Sequence, residues 1–207
     1  WLAKRDQSKP FFMYLSHKAV HSEFAPAKRH KGVYKNEPIS LPSSFRTSDQ
    51  QVSGKKRINN DIETEVNKKE PLKTDTYYGE GRTPDWQKMQ RESWHGVDYM
   101  YHGQISFPDF YRSYCETLLA VDESVGAVLK YLDDNGLAES TLVIYMGDNG
   151  FSFGEHGLID KRHFYEESAK VPFLIRCPEL FGGGLRPKPM IQNIDVAPTV
   201  LEVAGLQ

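Results

Sequence analysis

Thr141-Leu-Val-Ile-Tyr-Met-Gly-Asp-Asn-Gly150 is the stretch on which the fold turns. Its apolar half, Thr141 to Met146, is a short run of aliphatic and aromatic residues bounded by glycine, which is the pattern of a buried β-strand. Such a strand delivers Asp148 and Asn149 to its carboxyl end, where Gly147 and Gly150 let the backbone turn sharply. In open α/β sheets that end is where ligands bind. Adjacent carboxylate and amide oxygens are hard donors, better suited to Ca2+ or Mg2+ than to zinc. Asn-Gly is also a common turn dipeptide, and a turn alone is the plainer reading of the same residues. Downstream follow Gly154-Glu-His-Gly157, Asp160-Lys-Arg162 and Tyr165-Glu-Glu-Ser168. Lys161 offers a compact positive charge able to hold an anion beside a metal, although a lysine by default is a solvated surface charge.

Working outward, Ser106-Phe-Pro-Asp109 reads as a helix start, with a Ser cap, Pro in the first turn and an acid at the third position. Tyr111, Tyr114, Leu118, Val121, Val125, Val128 and Leu132 recur at helical spacing and form one core-facing stripe. Asn135-Gly136 ends the helix in a left-handed cap. A second strand is expected over Val171–Arg176, and a last helix, capped by Asp195 with Pro198 in its first turn, stops at Gly205. Pro10-Phe-Phe-Met-Tyr-Leu-Ser16 reads as a further strand. Residues from about 35 to 106 are polar and poorly periodic; Ile58, Ile62 and Val66 could make one helical stripe, but a long surface insertion is the safer reading. Alternating strands and helices at these spacings predict an α/β layered domain.

Composition narrows the class. At 39% hydrophobic and 26% charged residues, 207 residues can bury one sizeable core and are neither disordered nor fibrous. A net charge of −2 gives no electrostatic footprint for nucleic acid. No apolar run is long enough to span a membrane, and the two cysteines, Cys115 and Cys177, make no disulfide framework. No Asn-x-Ser/Thr sequon occurs, which favours a bacterial over a glycosylated secretory protein.

The ordered set from Asp148 to Pro172 resembles the sulfatase family of the alkaline-phosphatase superfamily, in which Asp-Asn-Gly binds calcium and a Gly-Glu-His-Gly and Lys-x-x-x-Tyr-Glu pattern follows. Pro10–Ser16 followed by His21 is similar to the family's strand with a substrate-binding histidine. Gln192-Asn-Ile-Asp-Val-Ala-Pro-Thr-Val-Leu-Glu-Val-Ala-Gly205 is similar to the segment that closes the catalytic domain. The resemblance implies an alkaline-phosphatase-like fold, a central mixed β-sheet flanked by helices. It implies that Asp148 and Asn149 hold Ca2+ (or Mg2+), and that His21 and Lys161 contact the sulfate and assist the leaving group. The wording of the Lys161 loop and of the closing segment is similar to sulfatases acting on sulfated glycans, N-acetylglucosamine-6-sulfatase and iduronate-sulfatase relatives among them. The implied partner is a sulfated carbohydrate, with no nucleic acid, and the implied compartment is periplasmic, extracellular or lysosomal, the bacterial periplasm foremost.

The chain departs from the family in two respects. The paired aspartates that complete the family's metal site are absent. The Cys/Ser-x-Pro-Ser-Arg motif that yields the formylglycine nucleophile is also absent, and neither Tyr114-Cys-Glu-Thr117 nor Arg176-Cys-Pro-Glu179 fits it. The expectation is therefore that residues 1–207 are the second half of a sulfatase catalytic domain, inactive alone, with a polar insertion at about 35–106. Two rival readings stay open. One is a phosphatase, phosphodiesterase or phosphonate hydrolase of the same superfamily, where Asp-His more often stands in place of Asp148-Asn149. The other is a noncatalytic, degenerate sulfatase. His17 and His21 have the spacing of a helical zinc pair, but the strand-like run before them and Ala25-Pro-Ala27 after them break a helix, so the preferred reading makes His17 structural or a neighbour of the substrate. His156 is expected to brace its loop, and Lys18, Trp94-His95, Arg162 and His163 are weaker candidates for sugar or anion contacts.

Overall fold

The computed structural model describes residues 1–21, 24–44 and 107–206. Its longest element is helix α1, Phe107–Asp134. The expected Ser cap at 106 lies just outside the described residues, as do Ile58, Ile62, Val66, Trp94 and His95. Of the predicted stripe Val121 and Leu132 are buried and the rest are half-buried, while Phe107 and Phe110, outside it, are also buried, each removing apolar surface worth about 1.5–3 kcal/mol when fully covered. Gly136 adopts φ 67°. The Leu137 amide then donates to Leu132 O at 2.9 Å and the Gly136 amide to Asp133 O at 3.2 Å. That pair of bonds is the Schellman arrangement, and it satisfies two carbonyls the helix leaves open.

Strand β1, Val143–Met146, pairs antiparallel with β4, Phe173–Arg176, in the register Val143↔Arg176 through Met146↔Phe173. Between them a tight hairpin forms from β2, Ser152–Phe153, and β3, Ile159–Asp160, with Ser152 opposite Asp160. A short helix, α2, covers Glu166–Ala169, and the last helix, α3, covers Val196–Val203 after a 3-10 turn at Asn193–Asp195. These two antiparallel pairs are what the described residues contribute to the layered architecture.

Two expected details differ. Residues 10–16 carry no regular structure, and no ladder pairs with them among the described residues, so Pro10–Ser16 is not a strand there. A strand needs a hydrogen-bonded neighbour, which an apolar run cannot supply by itself. Asp195 flanks α3, yet its side chain turns back: Oδ2 accepts the Gln192 amide at 2.8 Å and closes the preceding 3-10 turn.

The core sits at the amino end of α1, where Phe107, Phe110 and Ile159 are buried together and Phe24, Ile39, Leu41, Tyr111, Phe151 and Phe153 pack around them. Phe24 meets Phe110 at 4.9 Å between ring centroids and Phe151 at 6.1 Å. Phe151 and Phe153 lie 4.7 Å apart. Aromatic burial thus sits directly behind the turn that carries Asp148 and Asn149. Further along α1, Glu123 receives Arg29 and His30, the latter at 2.8 Å, fixing the 27–36 turns to the helix.

Candidate functional site

The turn after β1 is held from three sides. Within it, Asp148 Oδ1 accepts the Asn149 amide at 3.0 Å, and Asn149 Nδ2 donates to Gly150 O at 2.7 Å. From the closing segment, Asn193 Nδ2 donates to Asp148 O at 2.9 Å. From α2, Ser168 O accepts the Gly150 amide at 2.8 Å. The approach to α2 is so close that a Cβ on Gly150 would stand 2.0 Å from Glu167 O, so only glycine fits.

Lys161 lies just past the hairpin. The ladder pairs Ser152 with Asp160 and Phe153 with Ile159, so Lys161 leaves the strand that faces the one entered from Gly150 through Phe151. Lys161 is half-buried, whereas Asp160 beneath it is buried and meets Arg162 at 3.4 Å. Asp160 has φ 96° and His156 φ 57°, so the loop holds two non-glycine residues in left-handed conformations.

The other histidines separate. His21 is exposed on a turn closed by its amide to Lys18 O at 2.9 Å, and Phe24 shortly after it packs on Phe151. His17 points to α1, with Nε2 2.8 Å from Ser124 Oγ. The pair therefore does not lie on one helical face, and the zinc geometry that their spacing allowed is not formed. His156 braces its loop as expected: its amide donates to Ser44 O at 2.9 Å and its ring stacks on Tyr165 at 3.8 Å. His163, a weak candidate for a sugar contact, is instead buried with Nδ1 2.9 Å from Ser168 Oγ. Asn193 and Ser168 were not singled out from the sequence. Both lie within motifs quoted above, but their bonds to Asp148 and Gly150 join residues far apart in sequence.

The donor set at the turn suits a hard cation. With Nδ2 committed to Gly150 O, the Asn149 amide keeps Oδ1 for a ligand, and Asp148 is exposed. Those are two oxygens of the six to eight that calcium takes. Among the described residues no group of three His, Cys, Asp or Glu side chains could hold a metal by itself. The nucleophile is a different case. Burial pushes the Cys115 thiol up and Cys177 is buried, so Cys115 lacks the lowered thiol pKa, and Cys177 the exposure, of a reactive cysteine.

The fold is the α/β, alkaline-phosphatase-like architecture of the sulfatases on which it superposes. Within that architecture, the sulfatase pattern matches residues 1–206, and the chain belongs to the sulfatase family. It is 32% identical to an N-acetylglucosamine-6-O-sulfatase of Bacteroides thetaiotaomicron, a match covering 100% of this chain and 41% of that protein. It is 30% identical to N-acetylglucosamine-6-sulfatase of Capra hircus, over 99% of this chain and 30% of that one. A protein solved in complex with its substrate, D-glucosamine-2-N,6-O-disulfate, superposes with TM-score 0.69 at 28% identity, over 100% of this chain and 46% of that chain. The chain thus spans less than half the length of each of these proteins.

Proposed function

We propose that the full-length protein hydrolyses a sulfate ester on a carbohydrate, a glucosamine-type 6-O-sulfate first among the candidates. The observation that supports the reading is the turn after β1, which exposes Asp148 and is tied through Ser168 and His163 to the loop that carries Lys161. Its support on the substrate side is that relatives are named for N-acetylglucosamine 6-sulfate and a structural neighbour holds a sulfated glucosamine. Asp148 and Asn149 would hold calcium, which when bound neutralises and orients the nonbridging oxygens of the sulfate. Lys161 donates hydrogen bonds to those oxygens and stabilises charge as it shifts in the transition state. As an oxygen nucleophile not supplied by residues 1–207 bonds to sulfur, the S–O bond to the sugar breaks with its electron pair on the alcohol oxygen, and His21 supplies the proton that oxygen takes up. No residue of this chain fits the formylglycine nucleophile, so no step is assigned to it here. In this reading residues 1–207 form one part of a catalytic domain, and the polar stretch at about 35–106 is an insertion that shapes substrate subsites on the rigid scaffold.

The test is release of inorganic sulfate from N-acetylglucosamine 6-sulfate by the full-length protein, beside release of phosphate from the matching 6-phosphate. Sulfate release that disappears in Asp148→Ala, with the circular-dichroism spectrum unchanged, supports the reading. Faster phosphate release transfers the protein to the phosphatase side of the superfamily. No turnover of either, with calcium present, makes it a noncatalytic relative.

A further inference from the structure

The sequence pattern assigns Lys161 and the Asp148–Asn149 turn to the same site but does not say what keeps the two loops in register. The two-residue strands β2 and β3 form a short ladder, too short to prevent the open end of the hairpin from splaying. We infer that the buried His163–Ser168 pair is the positioning device that ties the loop carrying Lys161 to the Asp148–Asn149 turn, an assignment that rests on the functional reading above.

The geometry is a closed ring. The Gly150 amide donates to Ser168 O at 2.8 Å. Ser168 Oγ meets His163 Nδ1 at 2.9 Å. From His163 the backbone passes through Lys161 to Asp160, which pairs across the hairpin with Ser152, and Ser152 returns through Phe151 to Gly150. Every link is either covalent or hydrogen-bonded, and the His163–Ser168 bond is the only side-chain link in the ring. His163 is 6% exposed and Ser168 5%. Neither side chain is therefore placed to touch substrate, and both act through the groups they hold. A buried hydroxyl that loses its partner pays a desolvation cost without solvent relief, so the bond resists opening more than a surface bond would. The Ala169 and Ser168 amides both donate to Tyr165 O at 3.0 Å, so α2 presents Ser168 from a fixed turn. The close seat of Gly150 on Glu167 O tightens the same junction from the opposite side.

The experiment measures, in the full-length protein, calcium affinity by calorimetric titration, kcat and KM on an aryl sulfate, and thermal stability. All are measured well below the unfolding temperature. Partners that orient metal ligands are worth about 10–100-fold in affinity or activity. Ser168→Ala is expected to weaken calcium binding and to lower kcat/KM, each by about 10-fold, with most of the loss in kcat. His163→Asn, which returns a polar atom to the Nδ1 position, is expected to keep most of both. Should Ser168→Ala fail to fold, His163→Phe fills the same volume without a polar partner and carries the same expectation. A lowered unfolding temperature with unchanged calcium affinity and unchanged kcat/KM overturns the inference, because a merely structural bond does only that. Asp148→Ala and Lys161→Ala run alongside. If both are harmful and Ser168→Ala is silent, the inference alone fails; if both are silent, the functional reading fails and takes the inference with it.

Discussion

Replacing Gly150 by alanine puts the turn-to-α2 contact to a quantitative test. The added Cβ would stand 2.0 Å from Glu167 O, 2.9 Å from Glu167 C and 3.1 Å from Lys170 O, all main-chain atoms that cannot rotate away. Ordinary nonbonded contacts need roughly 3.5 Å, so the turn and α2 must part by more than about 1 Å. That movement breaks the Gly150 amide bond to Ser168 O, a net loss of about 0.5–1.5 kcal/mol. Forced backbone shifts from overpacking add about 1–3 kcal/mol. Gly150→Ala should therefore destabilise by roughly 2–4 kcal/mol in urea unfolding and weaken calcium binding at the turn. Gly126→Ala is the internal contrast: no atom lies within 4 Å of its added methyl on α1, and alanine there should stabilise by about 0.5–1 kcal/mol. Equal unfolding midpoints for Gly150→Ala and the unaltered protein would refute the close approach on which the site geometry rests.

Three further outcomes are expected. In kinetics on a sugar sulfate, His21→Ala and Lys161→Ala should each cut kcat/KM by about 100-fold or more, whereas His17→Ala, which loses a bond to Ser124, should stay within about 10-fold. The Glu123 carboxyl is drawn from its ordinary 4.5 to about 2 by the Arg29 guanidinium and then by His30. Its folded-state value is lowered, so its stabilisation is complete above about pH 4.5 and drains away as the pH falls towards about 2; Glu123→Gln should flatten that part of the acid-unfolding curve, and added salt should shrink the difference because the pair is exposed. Asn193→Ala removes the donor to Asp148 O and should weaken calcium binding up to about 10-fold at nearly unchanged stability; a titration with unaltered affinity would dismiss that anchor.

What could be read from the chain divides by range. The β1 strand, the turn after it, the span of α1 and its Gly136 cap all follow from spacing within a few residues and stand where the pattern put them, although β1, expected to be buried, is only half-covered. The strands β2 and β3 did not show, because two residues carry no periodicity. Pro10–Ser16 has the composition of a strand, but pairing depends on a neighbour that composition does not specify. The clustering of Phe24 with Phe110 and Phe153, and the contact of His17 with Ser124, join residues far apart in sequence and needed the fold to appear. At the candidate site, Asp148, Asn149 and Lys161 came from motif spacing, while the residues that hold them, Ser168, His163 and Asn193, came from contacts.

The bond from Asn193 to Asp148 spans 45 residues, and that interval has a meaning in time. A ribosome adding about 5–20 residues per second needs roughly 2–9 s to pass from one partner to the other. Throughout that interval the nascent chain presents Asp148 and Asn149 without their carbonyl anchor. The turn takes its final shape only after residue 193 has emerged, so on the calcium reading the ion would be captured after that point and not before. For a protein exported before it folds, the ion would then be taken from the destination compartment and not from the cytosol where synthesis occurs.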